Sequence, residues 1–390
     1  MNKMLKPTII SIGMATVMAG AAISPALGLI AQEFPTADPV LIKLILTAPS
    51  LMIIPFSFLC SYLTTKITKK SLLMAGLVIY LLSGVGAQFM NSIESLLAFR
   101  LALGAGVGLV MPLSMSLISD YFTGEERTQM MGYNSAFSNF GGIVTMMLAG
   151  YLATFGWRVP FNVYFIGLII MILVFFFLPR GTVEKRTGNQ PRKKIPLVVY
   201  GYAVSMGGVM LVYYSIATNM ALYMEQNNLG GAGLAGTVIS FTTVGGMTTS
   251  ILLVRLQGLL KNYIIPITLL VMGIAFSILS LMNNLPLVFI SVCLIGFGQG
   301  ILFPVLLVKV INAVEPQQSD RAIAITSSMI FIGQFLSPIL LNGIGRLVGM
   351  PTIRFEYGAI AVGLGIAIVF TFISVIRSQN SNADMQEAAS

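Results

Sequence analysis

The chain contains no histidine and only two cysteines, and 9% of its residues are charged. Without imidazole there is no histidine base, haem ligand or histidine-bearing zinc site. Cys60 and Cys293 lie far apart in apolar stretches and form no CxxC pattern. Two cysteines cannot build a four-cysteine metal site, so they are expected as buried thiols that pack like small hydrophobes. No Walker A pattern occurs, which argues against ATP as an energy source. A soluble domain carries about 25% charged residues. Nine per cent cannot cover the water-facing surface of a 390-residue soluble protein.

What is present is apolar. Hydrophobic residues make up 56% of the chain, and the mean hydropathy is +0.90. A bilayer-crossing helix needs about 20 predominantly apolar residues. Such runs fall at 8–31, 41–63, 71–90, 95–118, 129–154 and 159–178, and again at 196–224, 232–256, 263–282, 286–311, 321–345 and 354–376. The expected fold is therefore an all-α membrane protein with twelve transmembrane helices. The first run follows Lys3 and Lys6 like a secretory signal, but it is longer than the apolar core of one.

The basic residues orient the chain. Of the 22 Lys and Arg, seventeen fall in the segments that share a side with the N-terminus, four on the other side, and one, Arg100, inside a span. Basic loops mark the cytoplasmic side, so both termini are expected there. The net charge of +9 follows from the same loops and does not call for a nucleic-acid partner.

The stretch 180–196 is the one long polar segment between spans. It divides the chain into an expected bundle at 1–179, a basic linker, a second bundle at 197–378, and a tail at 379–390. The halves share a pattern. Gly104-x-Gly106-x-Gly108-x-x-x-Pro112 recurs as Gly296-x-Gly298-x-Gly300-x-x-x-Pro304, and Glu126-Arg127 as Asp320-Arg321. Two six-helix pseudo-repeats with a solute site between them are a known way to build a transporter.

With these motifs the sequence resembles the major facilitator superfamily over nearly its whole length, and most nearly the twelve-span drug/proton antiporter branch. In the loop after the second span, Leu63, Lys66, Lys69 and Lys70 fit the family pattern, whereas Ser61, Thr65 and Thr68 depart from it. The missing aspartate belongs to a latch between the halves in that family. Asp120 could replace it by pairing with Lys69; the alternative is a solvated pair of loops. Leu96, Arg100, Gly104 and Gly106 match the motif of the fourth span. Gly132, Gly141 and Gly150 match the antiporter motif of the fifth, but Thr145-Met146 stand where Gly-Pro is expected, which leaves the direction of transport open.

Candidate site residues follow from position and type. A charge within a span is costly, so Arg100 is read as binding substrate or coupling proton to conformation, or else as a staple on backbone carbonyls. The family assigns this arginine a coupling role. All thirteen carboxylates lie at span ends, in loops or in the tail. Glu33 and Glu225, ending the first and seventh spans, are the candidate proton sites; solvated helix ends are the alternative. The family's central cavity would take Ser24, Asn139, Tyr213, Tyr214, Gln299 and Gln334, each able to hydrogen-bond a ligand or a neighbouring helix. The repeated Gly-Pro segments are candidates for gating or packing. Lys66, Lys69, Asp120 and Arg127 are candidates for an inner latch. Thr123-Gly-Glu-Glu126 is a capping-box pattern at the start of the fifth span.

The expected function is secondary transport of a small organic solute, amphipathic or neutral to anionic, by alternating access in the cytoplasmic membrane. Proton-coupled efflux is favoured by the resemblance. A metabolite importer or uniporter is the alternative, and a non-transporting sensor or scaffold a distant one. The expected partners are the solute, a coupling proton and the bilayer, with the chain as a monomer. No cofactor or metal is expected.

Overall fold

Proline and glycine punctuate the apolar runs and decide where each helix bends. In a computed structural model, residues 4–179, 194–315 and 318–387 are described, apart from the side chains of 250, 251, 320 and 378–387. Most of the linker at 180–196 falls outside these residues, as does the end of the tail. The helices, in chain order, are α1 (Leu5–Ala21), α2 (Leu27–Glu33), α3 (Pro39–Leu63), α4 (Lys69–Gly86), α5 (Ile93–Tyr121), α6 (Gly124–Ala153) and α7 (Ile166–Phe177). They continue with α8 (Leu197–Gln226), α9 (Ala232–Leu260), α10 (Ile264–Leu281), α11 (Leu285–Asn312), α12 (Ser319–Leu347) and α13 (Ile353–Glu387).

The first apolar run is one rod broken at Ser24–Ala26, a short 3-10 turn. Pro25 has no amide hydrogen to donate and restricts the residue before it. The sixth run likewise begins as a 3-10 segment, Val159–Phe165, with Pro160 in its first turn. Pro49 and Pro55 lie inside α3, Pro112 inside α5, Pro304 inside α11 and Pro338 inside α12.

Among the described residues, eleven stretches are long and apolar enough to cross a membrane. One of them, Leu252–Leu281, joins the end of α9 to α10. The first part of α9, helical and rich in glycine and threonine (Gly233, Gly236, Thr237, Thr242, Thr243, Gly245 and Gly246), is not among the eleven. The chain is thus an all-helical, multi-pass membrane protein. The tail proves helical as far as Glu387.

Connections alternate between two faces. The near face carries residue 4, the connections around 64–68, 122–123 and 261–263, and the described residues 178–179, 194–196, 313–315 and 318. The far face carries the loops around 34–38, 90–92, 154–158, 227–231, 282–284 and 348–352. Side-chain bonds tie far-face loops to one another: Arg158 Nη2 to Asn91 Oδ1 at 2.7 Å, Arg354 Nη2 to Asn227 Oδ1 at 2.7 Å, and Arg346 Nη2 to Asp38 Oδ1 at 2.6 Å.

Apolar packing gathers into two large clusters, one drawn from residues 5–178 and one from 216–364. The repeated glycines have matching surroundings. A methyl group on Gly104 would overlap the Pro49 carbonyl oxygen of α3, and one on Gly296 the Thr242 carbonyl oxygen of α9. Gly108 and Gly300 meet the same two helices lower down, at Ile53 and at Gly246 and Thr249. The middle glycines turn to a third helix, Gly106 to α4 at Gly76 and Tyr80, and Gly298 to α10 at Met272. Missing side chains let these backbones approach to van der Waals contact, the usual route to tight helix pairs in a membrane. Gly141 sits against Met14 and Gly150 against Gly236, whereas nothing approaches Gly132.

Candidate functional site

A cavity of about 620 Å³ lies in the middle of the bundle, walled by α1, α3, α5, α6, α8, α9, α11 and α12. Its polar lining is neutral: Thr16, Ser24, Ser50, Ser135, Asn139, Tyr213, Tyr214, Thr242, Thr243, Gln299 and Gln334. No Asp, Glu, Lys or Arg stands among the described residues that line it. Its apolar lining includes Met111, Met146, Met210, Met247, Phe303 and Phe331. Ser24, Asn139, Tyr213, Tyr214, Gln299 and Gln334, chosen from the sequence, therefore meet around one space, with Gly300 and Pro304 beside them.

Several of these groups are already engaged. Ser24 Oγ donates to the Ala217 carbonyl oxygen, Ser50 Oγ to Gln334 Oε1 at 2.8 Å, and Tyr213 OH to Thr242 Oγ1 at 3.3 Å. Tyr214 reaches across from α8 until its hydroxyl abuts Gly20 of α1. Gln299 lies beside Gly246, where a larger residue would fill the space between α9 and α11.

Arg100 is fully buried and does not line the cavity. Its Nε donates to the Ile45 carbonyl oxygen at 2.7 Å, Nη1 to Tyr164 OH at 2.6 Å, and Nη2 to the Ala19 carbonyl oxygen at 3.1 Å. Tyr164 OH donates to the same Ala19 oxygen at 2.8 Å. Ala19 and Leu46, neighbours of these contacts, belong to the cavity wall. The guanidinium thus braces α1, α3 and the sixth span from one layer behind.

A second space of about 580 Å³ shares Thr16, Val17, Met111, Ser135, Asn139 and Phe331 with the first. It runs past Ser57, Ser138 and Ser327 to Ser61 and Ile323, at the near-face ends of α3 and α12. The central cavity therefore continues toward the near face.

Toward the far face the bundle is tied shut. Ser24 to Ala217, Ser50 to Gln334, Gln32 to Glu225, Lys43 to Glu356 and Arg346 to Asp38 all join residues before 179 to residues after 194. Gly150 and Gly236 add a close approach of α6 and α9. Asp38 also accepts from the Val40 amide at 2.8 Å, capping α3. The Arg346 hydrogen bond, then the Val40 amide, hold its carboxyl below the usual range.

The candidate proton sites lie at this face. Glu225 accepts from Gln32 Nε2 and lies against Gly28 of α2. Glu33 is exposed, 4.0 Å from Arg158 Nη1. A third acid went without a role in the sequence reading. Lys43 and Glu356 form an ion pair at 2.7 Å with side chains only 2% and 1% exposed. Their positions near span ends are as read; their burial between helices is not visible in hydropathy. One signal lies in the sequence: Asn219 is a polar residue within the run 196–224, and it donates to Glu356 Oε2 at 2.8 Å.

At the near face, Lys69 Nζ reaches Asp120 Oδ2 at 2.7 Å and Ser116 Oγ at 2.6 Å, so the pairing raised from the sequence forms, within the first half of the chain. Lys66 sits over the Tyr62 ring at 4.7 Å, and Arg127 is exposed in the first turn of α6. The capping box does not close. Thr123 occupies the N-cap position but makes no side-chain cap bond, and Glu126 instead pairs with Lys6 at 2.6 Å. A nearby ammonium outcompetes a backbone amide for that carboxylate.

Sequence comparison finds the Major Facilitator Superfamily over residues 9–265 and 204–389. The chain is 25% identical to Multidrug transporter protein MdtP of Bacillus subtilis (strain 168), over 37% of this chain and 26% of that one. It is 23% identical to Multidrug resistance protein 2 of the same organism, over 77% of this chain and 79% of the relative. Thus the chain spans about a quarter of one of these relatives and about four-fifths of the other. Among solved structures, a bacterial homologue of the human lysosomal transporter Spinster, inward-facing and occupied, superposes with a TM-score of 0.75. That likeness covers 96% of both chains at 15% identity, and it is a likeness of fold. Family match and helical architecture agree: this chain belongs to the Major Facilitator Superfamily, a family of transporters and not of enzymes.

Proposed function

We propose that the chain is a secondary transporter with twelve spans in two six-helix halves, residues 1–179 and 197–378, joined by a cytoplasmic linker. The twelfth span is the Gly- and Thr-rich α9, whose polarity suits a helix that lines a cavity and not lipid. The basic residues put the near face in the cytoplasm, so the arrangement described above is the inward-facing state of an alternating-access cycle. The matching surroundings of the two Gly-Pro motifs support the repeat.

The observation that carries the proposal is the neutral cavity of about 620 Å³, tied off on one side and continuing on the other. Such a space binds by shape, dispersion and a few hydrogen bonds. Four methionines in its wall adapt readily to different ligands. The solute is a small organic molecule, amphipathic and uncharged, because neither an acid nor a base stands among the described residues of the wall to pair with a charge, and Arg100, which favoured an anion in the sequence, lies behind it. The likeness to multidrug transporter and resistance proteins supports efflux, and exchange for protons follows from the resemblance to the drug/proton antiporter branch. The protein acts as a monomer in the cytoplasmic membrane, with both termini inside.

Everted membrane vesicles with an acid interior test this. Lipophilic cations, neutral antibiotics and organic anions are added in turn, and proton release is followed. Release triggered by the neutral class, and weakened in Tyr214→Phe with Gln334→Ala, is expected. Absence of proton release beside measurable flux of a labelled metabolite would sink the exchange reading in favour of a uniporter or importer.

A further inference from the structure

We infer that the Glu356 carboxyl is a proton-binding site that holds α3 against α13 at the far face while ionised and releases it when protonated. The inference rests on the transport reading for its place in a cycle, and applies to exchange and co-transport alike.

Four helices meet at this acid. From α3, Lys43 Nζ donates to Oε1 at 2.7 Å. From α8, Asn219 Nδ2 donates to Oε2 at 2.8 Å, and from α12, Asn342 Nδ2 donates to Oε1 at 3.3 Å. Glu356 itself lies in the first turn of α13. The charged groups nearby are engaged, whereas the buried Tyr357 hydroxyl has no hydrogen-bond partner among the described residues. Arg346 of α12 is held by Asp38, Arg354 of α13 by Asn227, and Tyr223 of α8 donates to the Leu279 and Met282 carbonyl oxygens. Tyr357 is buried beside Tyr223, and α10 presents neutral Ser280.

The detail that separates a proton site from a plain structural pair lies in the two amides. Asn219 Oδ1 and Asn342 Oδ1 are buried and accept no hydrogen bond. Buried polar atoms are rarely left so. An ionised carboxylate only accepts, and three donors serve it. A protonated carboxyl must donate one bond, and a rotated amide offers its idle oxygen to that proton. The pocket therefore holds partners for both states.

Access and consequence follow from geometry. A space of about 400 Å³ at the far face is lined by Lys43, Glu356, Asn342 and Arg346, so water can bring a proton to the carboxylate. The proton passes from a hydronium ion to a carboxylate oxygen, and water is left. Lys43 then has no counter-ion in a buried position, which is costly, and it turns toward the space at the far face. The far-face tie between α3 and α13 is thereby lost.

The test uses the full chain in proteoliposomes, with Cys60→Ser and Cys293→Ser removing native thiols. Spin labels at Thr36→Cys and Val348→Cys report the distance across the far face as pH is varied. A short distance at alkaline pH should give way to a longer one at acid pH, with the ratio changing by no more than about tenfold per pH unit, the slope of one proton. Glu356→Gln should show the longer distance at every pH, Glu356→Asp should keep the response, and Asp38→Asn should leave it in place. A distance that ignores pH, a response that survives in Glu356→Gln, or one that vanishes in Asp38→Asn would overturn the inference. The pH series of the unsubstituted site and Asp38→Asn decide the matter if Glu356→Gln does not fold. Flux of labelled solute in the same liposomes separates the two readings: a pH-driven distance without flux removes the transport reading alone, and flux with a fixed distance removes the proton site alone.

Discussion

Arg100 and Tyr164 share one acceptor: each donates to the Ala19 carbonyl oxygen, at 3.1 and 2.8 Å, while Arg100 also donates to Tyr164 OH at 2.6 Å. Three helical segments are joined by this knot. Arg100→Ala would leave the Ile45 carbonyl without its donor and empty a fully buried site. We predict a loss of about 1–3 kcal/mol in stability, the range for stranding a buried polar group. Thermal unfolding in detergent checks it. Tyr164→Phe should cost less, and the double variant should cost less than the sum of the two.

The polar groups of the cavity wall should affect affinity and not folding. Removing one neutral hydrogen bond costs about 0.5–1.5 kcal/mol, or about two- to tenfold in affinity. Gln299→Ala and Tyr214→Phe should weaken solute binding by that factor while leaving the melting temperature within a few degrees of the parent. Binding to the purified protein, once a solute is known from the vesicle screen, gives the readout. Unchanged affinity in both variants would remove these residues from the site.

Glycine substitutions should divide sharply. A methyl group at Gly104 or Gly296 would strike the backbone of Pro49 or Thr242, which cannot move aside as a side-chain tip does. Overpacking of this kind costs about 1–3 kcal/mol. Nothing lies within 4 Å of the corresponding position at Gly132. Gly104→Ala and Gly296→Ala should therefore lower the yield of folded protein and its unfolding temperature, and Gly132→Ala should not.

Acid should loosen the Asp38–Arg346 contact. The Asp38 carboxyl titrates below its ordinary value of 3.8, chiefly because Arg346 donates to it. A depressed carboxyl adds stability that is fully present above the ordinary value and is lost as pH falls through the lowered one. Asp38→Asn should therefore melt below the parent at neutral pH, with the gap closing only in strong acid. A gap that is constant across that range would show that the capping bond to Val40, and not the charge, is what matters.

Much of this architecture is legible in the sequence, for physical reasons. Apolar length sets where a helix can cross a bilayer, so the apolar runs 41–63 and 286–311 lie within two residues of the ends of α3 and α11. Spaced glycines foretell close approach, and Gly104 and Gly296 are where helices touch. Polar type within a span pointed to Tyr213, Tyr214, Gln299 and Gln334. What hydropathy cannot supply is the direction a residue faces. Arg100 lies behind the wall and not in it, because its stem turns toward Ala19 and Tyr164. Lys43 and Glu356 are 313 positions apart, and each alone looks like a span-end charge in water. Thr123 has the sequence of a cap, but Lys6, over a hundred positions away, takes its partner.

The neutral wall of the central cavity has a consequence for which molecules it can sort. A solute that enters carrying a charge leaves its hydration behind and meets no fixed counter-ion. A weak acid or base would therefore be held mainly as its uncharged form. Its apparent affinity would follow the solute's own ionisation as the medium changes, and added salt would alter it little. Two compounds of the same shape but different acidity would then be ranked by how readily each sheds its charge.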